Sequence, residues 1–237
     1  MIRNLKILLA AVMALVTLGA ISASGAQAAE YHCTVEPCRG TLKPDGAVPS
    51  KTAHHVFVVK GKNAAGEPVS GSFTCNQLTG EGLSNTKTTK EFTATGLACD
   101  GCAIVGTPCD VDFNGCDYHF VAGPPSTVTI KCPAGKQIEI TIKENGTTLK
   151  CTIDIPAQGP LGGITYHDAA EPPTRTELTV QALVKDITGI IATPAAGSSC
   201  IPYVGFNGSA TEGEYTTGNT IVTGETITGV HVGGWYE

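Results

Sequence analysis

Apolar and polar residues alternate with a period of two over much of this chain, most sharply in QIEITIKENGTTLKCTIDI, residues 137–155. Ile138, Ile140 and Ile142 alternate with Glu139, Thr141 and Lys143, the pattern of a half-buried strand. Asn145-Gly146 then supplies the two positive-φ positions of a type I′ hairpin turn. Counting outward from that turn pairs Ile142 with Leu149, Ile140 with Cys151 and Ile138 with Ile153, which leaves one face wholly apolar. A slip of one residue would turn every apolar side chain to solvent, so the pattern and the turn chemistry support each other.

A second hairpin is written in CDVDF, Asn114-Gly115, CDYHF, with Phe113 facing Cys116, Val111 facing Tyr118 and Cys109 facing Phe120. Further strand-like runs are His55 to Lys60, Gly71 to Cys75, Glu91 to Leu97, Thr127 to Lys131, Glu177 to Val184 and Thr220 to Thr223. Gly and Pro interrupt the chain too often for long helices, while Thr and Val fill the runs between them. The expected fold is all-β, with antiparallel sandwich-like sheets.

Two tandem units are expected within it. Ser72-Phe-Thr-Cys75 followed by Lys90 to Leu97 resembles Leu149-Lys-Cys151 followed by Thr176 to Leu183, a weak internal repeat. Gly123-Pro124-Pro125-Ser126 is the natural break, because paired prolines do not sit in a central strand. This divides the mature chain into an N-terminal β unit, residues 29–123, and a C-terminal β unit, residues 124–237.

The first 28 residues read as an export signal. Arg3 and Lys6 precede an apolar run from Ile7 to Ile21, and Ala26-Gln27-Ala28 is an A-x-A cleavage pattern. The run is shorter than the roughly 20 residues of a membrane-spanning helix, so no span is expected after cleavage. Of 237 residues 209 would remain, and loss of the two cations takes the net charge from −6 to −8. An acidic chain without a basic cluster argues against nucleic acid and anionic membranes as partners. The expected location is extracellular.

All ten cysteines, Cys33, Cys38, Cys75, Cys99, Cys102, Cys109, Cys116, Cys132, Cys151 and Cys200, follow the signal, which points to disulfide staples in an oxidising compartment. Seven precede residue 124 and three follow it, so a bridge crosses the boundary or a thiol stays free. Cys116 to Cys132 would resolve this, since the two flank the paired prolines, and Cys151 to Cys200 would then staple the second unit. Each bridge contributes roughly 2–4 kcal/mol.

Metal is the competing use of the same segment. Cys99-Asp-Gly-Cys102 with Cys109 and Cys116 contains one zinc-type knuckle but lacks a second close pair. Asp110-Val-Asp112-Phe-Asn114-Gly115 matches the opening of a calcium loop, although Val121 stands where a bidentate Glu belongs. The hairpin register would set Asp112 opposite Asp117 and Asp110 opposite His119. Asp110, Asp112 and Asp117 are therefore the candidate calcium ligands, against the plainer reading of a solvated polar face.

Other chemistry is sparse. His54-His55 begins a strand, where one imidazole must point outward and the other inward. There is no G-x-S-x-G, H-E-x-x-H or Gly-rich phosphate loop. Glu212 and Glu214 are explained by alternation on an exposed strand. Aromatic residues make up only 5% of the chain, which weakens a sugar-stacking role. Asn145-Gly-Thr147 and Asn207-Gly-Ser209 are formal glycosylation sequons.

The segments HCTVEPCRGTLKPDG, KTAHHVFVV, KCPAGKQIEI and GEYTTGNTIVTGE resemble a group of uncharacterised secreted, Cys- and Thr-rich β proteins of high-GC Gram-positive soil bacteria. That resemblance implies export and β structure and assigns no reaction. The function expected is a non-enzymatic extracellular structural or surface-binding role toward an unknown extracellular ligand or surface. The alternatives are a calcium-dependent binding or adhesion module and an extracellular hydrolase without a recognisable motif.

Overall fold

The computed structural model describes residues 29–43, 55–168 and 177–236. The export segment and His54 lie outside them.

The strands are, in chain order, β1 (Tyr31–Cys33), β2 (Cys38–Lys43), β3 (His55–Lys62), β4 (Pro68–Cys75), β5 (Gln77–Ser84), β6 (Thr88–Thr89), β7 (Glu91–Asp100), β8 (Ala103–Ile104), β9 (Thr107–Asp112) and β10 (Asp117–Val121). They continue as β11 (Ser126–Lys131), β12 (Ile138–Glu144), β13 (Thr148–Ile155), β14 (Gln158–Asp168), β15 (Glu177–Ile187) and β16 (Ile191–Pro194). A single helical turn, α1 (Ile201–Val204), leads to β17 (Gly208–Ser209), β18 (Glu212–Glu225), β19 (His231–Val232) and β20 (Gly234–Tyr236).

Eight of these strands close on themselves in the order β2–β5–β7–β10–β11–β14–β15–β18 and back to β2, every neighbour antiparallel. The expectation of antiparallel, disulfide-stapled β structure holds, but the sandwich-like arrangement is corrected to a closed barrel. Closure pairs each barrel strand on both sides, which removes the exposed edges of an open sheet. Four barrel strands come from each side of residue 124. The paired prolines sit in the turn that joins β10 to β11, whose ladder runs from Asp117 and Lys131 to Val121 and Thr127.

The long strand β18 connects the barrel to the remaining sheet. Its first half, Glu212–Thr217, pairs with β3, and its second half, Ile221–Glu225, pairs with β2. From β3 the sheet continues β4–β8–β9–β12–β13–β16–β17. A third, small sheet, β20–β1–β6, packs on the barrel through Tyr31 and Tyr236, whose rings meet Tyr166 at centroid distances of 5.3 and 4.4 Å.

Strict alternation places the core. His55, Phe57, Val59 and Gly61 of β3 are buried while the residues between them are less so. Ile140, Ile142, Cys151 and Ile153 are fully buried between β12, β13 and the strands over them. Each such Ile contributes roughly 1.5–3 kcal/mol through removal from water. Gly82 of β5 admits the Phe92 ring into the barrel, because a Cβ there would lie 2.2 Å from the Thr93 carbonyl oxygen and 2.5 Å from that ring.

Two registers differ from expectation. In the β12–β13 hairpin Asn145 and Gly146 take φ of 52° and 73°, as a type I′ turn demands. The ladder, however, pairs Ile142 with Cys151, Ile140 with Ile153 and Ile138 with Ile155, two residues away from the simple count. Thr147 lengthens the loop and a bulge follows Ile142, and two one-residue offsets restore the same face. Leu149 is released to the surface, 40% exposed.

The expected pairing of β9 with β10 does not form. Asn114 and Gly115 do make the tight turn, closed by the Cys116 amide donating to the Phe113 carbonyl at 2.7 Å. Beyond it the strands part: β9 pairs with β8 and β12, while β10 pairs with β7 and β11.

Candidate binding cavity

Two voids lie where the barrel interior meets the strands packed on it, β3, β4 and β12 in one case and the small sheet in the other. The larger, about 90 Å³, is bounded by apolar groups including Ile140, Ile164 and Val180, with Phe120 among them. The second, about 70 Å³, lies beneath the small sheet among Tyr31, Phe92 and Tyr166, and Phe120 and Val180 border it as well. Those two side chains therefore stand between the voids.

The larger void has one polar wall. Thr217 of β18 pairs with His55 of β3, and Tyr215 with Phe57, so His55, Tyr215 and Thr217 share the inward face where β18 leaves β3. His55 is 3% exposed, and its Nδ1 lies 2.6 Å from the Tyr215 hydroxyl. The Thr217 and Thr220 hydroxyls bond to each other at 3.0 Å. Burial pushes the Tyr215 hydroxyl well above its usual pKa, so it stays protonated and able to donate. Among the described lining residues no carboxylate reaches this void.

The second void is edged by hydroxyls. The Tyr31 and Tyr166 hydroxyls meet at 2.5 Å, and burial raises the pKa of both. Thr223, 2% exposed, borders the same void, and its hydroxyl has no hydrogen-bond partner among the described residues. A buried hydroxyl left in that state costs roughly 1–3 kcal/mol relative to a bonded one.

The candidate calcium ligands do not converge. Asp110 is held by the Lys143 ammonium at 2.8 Å and pairs in the ladder with Thr141. The Asp112 carboxylate accepts the Asn114 amide at 2.8 Å, and Asp117 pairs with Lys131 on the other side of the divide between β9 and β10. The expected oppositions of Asp112 with Asp117 and Asp110 with His119 are absent, because the two strands run into different ladders. Glu212 and Glu214 both bind the Lys60 ammonium on the outer face. Asn207 accepts the Cys200 amide at 2.8 Å ahead of α1, and Asn145 holds the hairpin turn.

Eight cysteines are bridged: Cys33–Cys38, Cys75–Cys102, Cys116–Cys132 and Cys151–Cys200. Cys99 and Cys109 are free thiols, unlike the full pairing expected of ten cysteines. Cys116 has Cys132 as its partner, so the Cys99, Cys102, Cys109, Cys116 zinc set does not assemble. The one group of three ligand-type side chains found together among the described residues is Cys75, Cys99 and Cys102.

The inward polar group is the part of the site that sequence reasoning missed. Its signal was present: if alternation places Glu212 and Glu214 outward, then Tyr215 and Thr217 face the other way. Set against known protein families, curated proteins and solved structures, the chain matches none of them.

Proposed function

We propose that this protein is a secreted, non-enzymatic binding protein that takes a small, largely apolar molecule into its barrel. The observation that carries the reading is the apolar void with a single polar wall, His55, Tyr215, Thr217 and Thr220, built on paired strands. Ligand sites combine these elements: apolar lining for affinity and a few placed hydrogen-bonding groups for orientation. An eight-stranded barrel is wide enough for one small ligand when its side chains do not fill it.

Size restricts the ligand. An apolar void of about 150 Å³ takes benzene. The larger void alone is below that, and the two joined by rotation of Phe120 or Val180 reach it. The ligand is therefore a monocyclic or short-chain apolar molecule with one hydroxyl, carbonyl or ring nitrogen to meet the polar wall.

Four disulfides fit an extracellular setting, and among the described residues no helix is long and apolar enough to cross a membrane. Secretion belongs to the proposal, and sequencing of the exported protein should begin at Ala29. A hydrolase would need an activated nucleophile in the cavity. Cys99 borders it, but burial pushes that thiol up to about 12 and keeps it protonated.

The test is thermal melting with benzene or phenol at increasing concentration. Binding to the folded state alone raises stability by about 2.7 kcal/mol at 100 times Kd, so the midpoint must rise and saturate. Ala182→Leu, which extends a side chain into the larger void, should abolish that rise without lowering the starting midpoint. No rise with either probe contradicts the proposal.

A further inference from the structure

Four of the ten cysteines converge at one point of the fold, and their bridging leaves two of them reduced. Thr74 of β4 pairs with Ala103 of β8, and Ala103 pairs with Pro108 of β9. One step further along these ladders Cys75, Cys102 and Cys109 lie side by side on three neighbouring chain segments. The Cys109 amide donates to the Cys102 carbonyl at 3.0 Å, which fixes that pair in register. Cys99 arrives from β7, opposite Leu78, and the sulfurs of Cys75, Cys99 and Cys102 all lie within 4.8 Å of one another.

We propose that Cys75, Cys99, Cys102 and Cys109 form a thiol–disulfide exchange site that reacts with a small external disulfide and ends with Cys75–Cys99 and Cys102–Cys109 bridges. In the first step, which quickens as alkaline pH draws the proton from the buried Cys99 thiol, the Cys99 thiolate attacks Cys75. The Cys75–Cys99 bond forms, the Cys75–Cys102 bond breaks, and Cys102 leaves as a thiolate that takes up the proton Cys99 lost. No electrons are gained or lost overall.

In the second step Cys102 attacks the external disulfide and releases one small thiol. Cys109 then displaces the second and closes Cys102–Cys109. Two electrons and two protons leave the protein as two molecules of small thiol.

The geometry favours this partition. Directly opposed residues in an antiparallel ladder have Cα atoms about 4.5–5.5 Å apart. That is inside the usual range of about 4.4–6.8 Å for a disulfide. Cys102 and Cys109 lie one step beyond the Ala103–Pro108 pair of the hairpin whose tip residue Val105 is 74% exposed; both cysteines are 7% exposed, so an external disulfide reaches them when this short hairpin opens. Cys75 and Cys99 border the larger void, so the exchange alters a wall of the cavity, yet the site stands whether or not a ligand binds there.

The test is disulfide mapping of the exported protein after treatment with oxidised glutathione and acid quenching. The expected result is no alkylatable thiol, a mass lower by two hydrogens than the four-bridge form, and peptides joined as Cys75–Cys99 and Cys102–Cys109. Retention of Cys75–Cys102 beside a Cys99–Cys109 bridge, persistent thiols, a stable glutathione adduct, or four thiols around bound zinc would each overturn it.

Cys109→Ser supplies the second measurement. With the last step blocked, exchange alone should divide the remaining thiol between Cys99 and Cys102. Alkylation found at Cys99 only rejects the first step.

Discussion

Nδ1 of His55 lies 2.6 Å from the hydroxyl of Tyr215, joining the first residue of β3 to the first half of β18 on the inner face. The contact is the least apolar part of an otherwise apolar void. Tyr215→Phe removes the hydroxyl and leaves a buried imidazole nitrogen without it. The variant should lose about 1–3 kcal/mol in chemical denaturation. It should also weaken binding of phenol more than of benzene, since only phenol has a polar group to lose a partner.

Gly82 tests how the barrel closes. A methyl group there meets the Thr93 carbonyl oxygen and the Phe92 ring, and a carbonyl cannot swing away as a side-chain tip can. Gly82→Ala should destabilise by about 1–3 kcal/mol, the usual cost of overpacking. Gly146→Ala is a different case: space is open, but the residue sits at φ of 73°, so its cost is backbone strain of roughly 1–2 kcal/mol. Urea unfolding of both separates the two mechanisms, since adding Phe92→Leu should relieve the ring's share of the first, leave the carbonyl's share, and leave the second unchanged.

Two of the bridges should differ in weight. Cys116–Cys132 spans 16 residues and Cys151–Cys200 spans 49. Loop-closure entropy assigns them about 3 and about 4 kcal/mol. Paired Cys→Ala variants at each bridge, compared by urea unfolding, should fall in that order.

How much of this was legible in the chain can be judged at Asn114-Gly115 and Asn145-Gly146. Both form the tight turns their chemistry dictates, since each turn depends only on residues adjacent in sequence. After Asn145-Gly146 the strands stay together, because Ile138, Ile140 and Ile142 find matching apolar partners on the returning strand. After Asn114-Gly115 the strands separate, because Val111 meets Ile140 of β12 while Tyr118 and Phe120 meet Ala94 and Phe92 of β7. That choice depends on residues far along the chain, and no local pattern encodes it. Barrel closure was hidden for the same reason. The expected opposition of Asp112 with Asp117 and of Asp110 with His119 depended on the pairing of β9 with β10 and is absent with it.

The two thiols should show a steep dependence on alkaline pH. Burial, then the charges of Cys109 and Asp100, pushes Cys99 up to about 12. Burial and the neighbouring Asp110 push Cys109 up to about 11. Tyr118 and Tyr215, close enough to Cys99 for their charges to couple, have their own pKa values raised and remain neutral over this range.

Below these values the thiolate fraction rises about tenfold per pH unit, so alkylation measured from pH 7 to 9 should accelerate about a hundredfold. An unfolded thiol ionises near pH 8.5, so the unfolded state loses protons first and stability should fall as pH rises from about 8.5 toward 11. A rate that levels off at pH 8 would show that these thiols are not buried as described.

The central claim is that the barrel interior admits a small apolar molecule. It is tested most directly by titrating the methyl-labelled protein with benzene and following isoleucine and valine methyl resonances by NMR. Saturable shifts confined to cavity-lining methyls, Ile140, Ile164 and Val180 among them, and lost in Ala182→Leu, are the predicted result. Unmoved methyls at these positions, or shifts spread over exposed groups such as Ile201 and Val230, would contradict it.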